Sequence, residues 1–315
     1  MAFSLKVLKH RLLYSPFVAQ LVVTRYCNLE CGYCNEFDKV SAPIDVDVLR
    51  ERLGKLKELG TWGITLTGGE PTTHPRLLEI LRACRSEFRF FRFGMITNGI
   101  KLKRELVEAL NETGMHELQI SVDGVKRNKV TVKVLETLRK SLNNLREHAK
   151  FKVTVNAVVG ACPPEEAFEV LDYAQNMGFI PRVILLHDHE GSLKLTPEEL
   201  EVYHQLKRML PKNWQEMSDY RDKLIHTGQA PFKCRAGSRY LYVDEHGIAS
   251  WCSQTRGVWS KPLMDYTYED LQEQFYTYKS CNRTCTIGCV RSASWLDGLR
   301  RQDPPGKGEP EPALS

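Results

Sequence analysis

Residues 17–34 read F-V-A-Q-L-V-V-T-R-Y-C-N-L-E-C-G-Y-C, an apolar run that breaks at once into Cys27, Cys31 and Cys34, spaced C-x3-C-x2-C. The run over 17–24 has the length and β-branched character of a buried strand. It is also the longest apolar candidate in the chain, far short of the roughly 20 residues that a membrane-spanning helix needs. The pattern then repeats. Further strands are predicted at 63–67, 90–96, 117–122, 152–158 and 182–186, with helices at 46–59, 75–85, 103–111, 131–147 and 164–176 between them. Strands alternating with helices predict an α/β fold with a parallel sheet, a partial (β/α)6 TIM-type barrel, closed or nearly closed. Ligands bind such sheets at the carboxyl ends of the strands, where the cysteines stand.

Working outward, the chain divides into a basic amphipathic segment at 1–16, the barrel at 17–195 and a helical connector at 196–230. A small cysteine-rich extension at 231–295 and a disordered tail at 296–315, rich in proline and charge, complete it. Thr196-Pro197-Glu198-Glu199 reads as a helix start. A hairpin is predicted at 239–251 around Asp244-Glu245-His246-Gly247, and a last helix at 268–279. In the first segment Lys6, Lys9 and Arg11 alternate with leucines, which suits packing across the barrel bottom or peripheral membrane contact. Of 315 residues, 42% are hydrophobic and 26% charged, the balance of a globular protein with a large core. A net charge of +5 is too small to argue for nucleic acid. The N-terminus lacks a secretory pattern, so a cytoplasmic location is expected. Ten cysteines then need a use other than disulfides.

Three thiolates within eight residues can hold one side of an iron–sulfur cube and leave one iron open. The plain alternatives are three structural cysteines or an incomplete zinc site, which would need a fourth ligand. The spacing, with the aromatic Tyr33 before the third cysteine, resembles that of the radical S-adenosylmethionine (radical SAM) superfamily. Gly68-Gly69-Glu70 after the second strand is similar to the family motif in which backbone and carboxylate hold the amino group of SAM. Asn98, Ser121 and Asn156 stand at later strand ends, and the resemblance implies that they contact the ribose and methionine parts of SAM, with Val158 near adenine. It further implies a 4Fe-4S cluster binding SAM and reductive cleavage to a 5'-deoxyadenosyl radical. Hydrogen abstraction from a substrate would follow, with an electron donor such as flavodoxin or ferredoxin.

Five more cysteines, Cys234, Cys252, Cys281, Cys285 and Cys289, lie in the last quarter of the chain. The pattern C-x12-G-x4-C from Cys234 through Gly247 to Cys252 resembles the opening of SPASM and twitch extensions, which carry auxiliary clusters. The remainder departs from the full SPASM pattern. That implies one auxiliary 4Fe-4S cluster, with one thiol spare; zinc is the alternative. Cys84 and Cys162 read as packing residues.

His187, Asp188 and His189 follow the sixth strand, and His187 is a candidate for substrate binding or proton transfer, against an ordinary loop role. Arg82, Arg85, Arg89, Arg92, Lys101, Lys103 and Arg104 form a basic stretch, either a solvated face or a site for an acidic substrate. About sixteen residues precede the first strand, too few for a leader-peptide domain. The stretch V-K-R-N-K-V-T-V-K at 125–133 lacks residues usual in the peptide-modifying branch. A small-molecule, cofactor-precursor or lipid-like substrate is therefore preferred to a peptide, and a non-catalytic electron-transfer or sensor protein is the reading from another class.

Overall fold

The computed structural model describes residues 13–187, 193–295 and 297. Six parallel strands come first: β1 (Val18–Thr24), β2 (Gly63–Gly68), β3 (Arg92–Thr97), β4 (Glu117–Val122), β5 (Lys152–Val159) and β6 (Ile180–Leu185). Helices α1 (Val46–Glu58), α2 (Leu77–Ser86), α3 (Arg104–Glu112), α4 (Leu135–His148) and α5 (Glu166–Asn176) connect them. The connector forms α6 (Pro197–Met209) and α7 (Lys212–Thr227). Then follow β7 (Tyr240–Val243), β8 (Ile248–Ser250), β9 (Ser260–Pro262), α8 (Tyr268–Tyr276) and α9 (Gly288–Ser294).

The sheet is open, running β6-β5-β4-β3-β2-β1-β7-β8-β9. Closure of the barrel, one of the two expectations, is not what forms. β7 pairs in parallel with β1, and β8 and β9 continue antiparallel, so the cysteine-rich extension prolongs the barrel sheet. The buried Arg239 holds this junction: its guanidinium donates to Asp297 at 2.9 and 3.2 Å and to the Ser15 carbonyl at 3.1 Å.

Period-two alternation divides each strand between two environments. One face carries Leu21, Leu66, Met95, Leu118, Val155 and Val183, all buried in the core against the helices. The opposite face carries Gln20, Thr65, Gln119, Asn156 and Arg182, which line a cavity that opens to solvent. Helix starts follow local chemistry: Asp45 accepts from the Asp47 amide, and Thr196 with Glu199 makes a reciprocal capping box. Residues 1–12, with Lys6, Lys9 and Arg11, and the tail beyond Asp297 lie outside the described residues. No described helix is long and apolar enough to cross a membrane.

Cys84 is fully buried in α2, and burial pushes its thiol up to about 12. Iodoacetamide at pH 8 is therefore expected to label the exposed Cys34 and Cys281 of apoprotein and leave Cys84 unlabelled, read by peptide mass spectrometry. Equal labelling of Cys84 would contradict its placement in the core.

Candidate active site

The three-cysteine loop leaves β1 through a register shift between Val22 and Thr24, a local kink of the kind found beside functional sites. Its base is closed by Cys27 N–H to the Asp38 carbonyl at 3.1 Å and Asp38 N–H to the Arg25 carbonyl at 3.0 Å. The stretch 125–133 packs along its flank. Gly32 N–H donates to the Val130 carbonyl at 2.9 Å, and Thr131 Oγ1 lies 3.9 Å from Cys31 Sγ while donating to Asp123 at 2.6 Å. The Tyr33 hydroxyl also donates to Asp123, at 2.7 Å, and its ring lies under the Lys133 ammonium at 5.0 Å. Tyr33 therefore anchors the loop to the end of β4. Burial raises the pKa of Cys27 and Cys31, and the three thiols stand close enough to feel one another's charge.

Gly68 and Gly69 pack against this loop. A Cβ on Gly69 would stand 2.3 Å from the Arg25 carbonyl oxygen and 2.4 Å from that of Tyr26; one on Gly68 would stand 2.1 Å from the Thr24 oxygen. The β2 turn thus lies in close approach to the backbone of the cysteine loop. The Glu70 carboxylate is buried and engaged: it accepts from Thr72 N–H at 3.0 Å, Thr72 Oγ1 at 2.6 Å, Thr97 Oγ1 at 2.6 Å and Asn98 N–H at 2.7 Å. These bonds tie the end of β2 to the end of β3. Asn98 Nδ2 donates to Asn28 at 2.8 Å and lies 3.8 Å from Cys27 Sγ, so Asn98 stands at the cysteine loop.

Ser121, Asn156 and Arg182 are register partners across β4, β5 and β6, on the cavity side. Val158 lies one alternation further along β5 and is buried. The cavity, of about 650 Å³, is bounded by Gln20, Asn156, Arg182 and His187 from the barrel, by Tyr220 and Arg221 of α7, and by Cys289 of α9. His187 reaches its wall; Asp188 and His189 lie outside the described residues. Within the basic stretch, Arg92 joins the cavity wall paired with Glu117, whereas Arg104 pairs with Glu108 on the surface.

The second cysteine group lies on the same side of the sheet. Cys234 and Cys252 pack with Val22, Tyr240, Tyr242 and Trp251 in one buried cluster. Cys285 feels the charges of Cys234, Cys252 and Cys281, while Cys289 feels Cys252 and lies within hydrogen-bonding reach of Tyr240. Burial pushes Cys234 up to about 12 and Cys289 to about 11. The buried Lys279 ammonium, lowered to about 8 by burial, is held by the Gln274 and Thr277 carbonyls at 2.7 and 3.0 Å near these thiols. A charged network links the two cysteine groups: Glu36 accepts from Tyr242 and faces Arg25 and Arg256 at 3.7 and 3.6 Å, and Arg256 pairs with Glu245 at 2.8 Å.

Among the described residues no three His, Cys, Asp or Glu side chains stand ready to hold a single metal ion. The donor chemistry of both groups is thiol-only, the set suited to iron–sulfur ligation. Asp123 Oδ1 and Asn156 Oδ1 are buried acceptors with no hydrogen-bond donor among the described residues, and of the two only Asn156 belongs to the described cavity wall. Sequence reading missed Asp123, Arg182 and Arg221. The alternation of Gln20, Gln119 and Arg182 with apolar residues was the available signal for a polar interior.

Residues 21–206 match the family model described as Radical SAM superfamily. A GTP 3',8-cyclase of a Synechocystis species is 32% identical over 162 residues, which covers 49% of this chain and 49% of that protein. A PqqA peptide cyclase of Bradyrhizobium diazoefficiens is 31% identical over 114 residues, 35% of this chain and 30% of its own. The chain spans about half the length of the curated relatives it matches. Among solved structures, Streptococcus suis SuiB bound to precursor peptide SuiA superposes with a TM-score of 0.63 at 18% identity, covering 90% of this chain and 74% of that one. The structure of anSMEcpe with AdoMet and a peptide gives 0.60 at 17% identity, over 84% and 81%. At these identities the likeness is one of fold.

Proposed function

The chain belongs to the radical SAM superfamily, and from that membership we propose an enzyme that cleaves SAM reductively and abstracts a hydrogen atom from a small molecule held in the barrel. The observation that carries this reading is the three-thiol loop fixed at the end of β1 against Gly68-Gly69. Cys27, Cys31 and Cys34 would ligate a 4Fe-4S cluster and leave one iron for SAM. When bound, the cluster and SAM supply the one-electron cleavage and the 5'-deoxyadenosyl radical. The chain itself orients and excludes. Asn98 stands beside the cysteine loop, Asn156 offers its unpaired oxygen, and Tyr33 with Asp123 and Lys133 fixes the loop to β4. Glu70 serves the site by joining the ends of β2 and β3.

Four of the five thiols of Cys234, Cys252, Cys281, Cys285 and Cys289 would hold one auxiliary cluster beside the cavity, with one spare. A cavity of about 650 Å³ suits a small molecule, within the roughly 300–1,000 Å³ typical of ligand pockets. The similarity to GTP 3',8-cyclases favours such a substrate. A peptide is the second reading, supported by the partial match to PqqA peptide cyclases. An electron donor of the flavodoxin or ferredoxin kind follows from the same chemistry.

Anaerobically reconstituted wild-type protein is expected to carry about eight irons per chain, for two 4Fe-4S clusters. It should release 5'-deoxyadenosine from SAM on reduction, detected by liquid chromatography and mass spectrometry. Absence of 5'-deoxyadenosine from protein loaded with iron and sulfide would overturn the reading. Four irons with one zinc would remove the auxiliary cluster from it.

A further inference from the structure

We propose that the cavity recognises an anionic group of its substrate, a carboxylate or phosphate, through Arg221, with Arg182 as the second cation. This rests on the reading above only in taking the occupant to be the substrate. Among the described residues Arg92, Arg182, Arg221 and Glu117 bring charge to the cavity wall. Glu117, the one carboxylate among the described lining residues, pairs with Arg92 and also acts on Arg182.

Arg221 is 7% exposed, and its guanidinium lies 4.9 Å from the Tyr220 ring centroid. Among the described residues no hydrogen bond or ion pair reaches it, and the cations Arg182 and Arg291 stand near it. Asp219 and Asp222, on the same helix, are both engaged by Lys207. An anion entering the cavity would meet this cation, whose planar guanidinium matches carboxylate and phosphate oxygens two at a time. Packing against Tyr220 fixes the plane in advance, so less entropy is lost on binding.

Register supports the same conclusion. Arg182 pairs with Asn156 across β5 and β6 and lines the same cavity, while Asn156 Oδ1 lacks a donor. The cavity thus offers cations for an anion and an acceptor for a neighbouring hydroxyl or amine. That combination describes a polar, acidic small molecule and disfavours a lipid-like one.

The test titrates inorganic pyrophosphate, citrate and GTP separately into cluster-loaded protein by anaerobic calorimetry. Wild type, Arg221→Gln and Arg221→Lys are compared with Arg104→Gln as a surface control. One anion site per chain is expected in wild type, for phosphate probes or for citrate, and the difference between these arms names the group. Arg221→Gln should weaken binding by at least about tenfold, the scale of one charge-assisted hydrogen bond. Arg221→Lys should fall between, and Arg104→Gln should match wild type. The ligand-free melting temperature of each variant is measured alongside, to show that it folds. Equal binding by Arg221→Gln and Arg104→Gln, or no binding of any probe by wild type, overturns the proposal. If Arg221→Gln does not fold, protection of the Arg221 peptide of wild type from phenylglyoxal by the bound anion decides, and lack of protection overturns it. SAM cleavage by wild type without added anion is measured separately, so failure of the parent reading is recognised independently.

Discussion

Cys31→Ala is expected to lower reductive SAM cleavage by at least about a thousandfold, as removal of one member of a catalytic unit does. The iron content should fall from about eight to about four per chain, because only the first cluster loses a ligand. The size of the effect follows from the loop. Its three thiols are all that this loop supplies, so no neighbouring cysteine can replace the lost one. The fold should persist. Gly32 N–H to the Val130 carbonyl and Cys34 N–H to the Cys31 carbonyl are backbone bonds that alanine keeps. The Thr131 hydroxyl retains its 2.6 Å bond to Asp123. Circular dichroism should therefore match wild type, and Cys84→Ala, altered inside α2, should keep its iron. A Cys31→Ala protein that still released 5'-deoxyadenosine would remove Cys31 from the cluster.

The parallel strands were legible because each one is a short β-branched run between turn residues, and β4 begins and ends where the alternation of Glu117, Gln119 and Ser121 with Leu118, Ile120 and Val122 predicts. The cysteine loop was legible for another reason: metal-ligand spacing is local in the chain. Attachment of β7 to β1 was not. It joins Val18 to Tyr240 across the whole barrel, and no local pattern encodes a pairing at that separation. The tie at Glu70 was not legible, because a Gly-Gly-Glu turn shows nothing of Thr97 and Asn98, supplied by the next strand. Residues 125–133 similarly read as a departure from a motif, whereas Val130, Thr131 and Lys133 clasp the cysteine loop. Arg221 lay hidden in a polar helix, since only tertiary packing distinguishes a cation turned inward from one in solvent.

The same lesson bears on Gly69, where the second large effect is expected. Gly69→Ala should destabilise the apoprotein by about 3 kcal/mol or more, at the upper end of overpacking costs. It should also sharply lower iron incorporation at the first site. The new Cβ would meet the carbonyl oxygens of Arg25 and Tyr26 at 2.3 and 2.4 Å, and backbone cannot yield by changing rotamer. Two hydrogen bonds fix that separation: Gly69 N–H to Thr24 and Glu70 N–H to Tyr26, each 2.9 Å. To admit the methyl group the loop must retreat from β2, which breaks both bonds and displaces Cys27, the residue after Tyr26. Gly178 provides the contrast. It has φ +75° but nothing within 4 Å of an added Cβ, so Gly178→Ala should cost only the left-handed backbone strain of about 1–2 kcal/mol and leave the iron content unchanged. Urea denaturation of the two apoproteins, with iron analysis after reconstitution, separates close approach from backbone strain. If Gly69→Ala is no less stable than Gly178→Ala and loads iron equally, the β2 turn does not set the position of the cysteine loop.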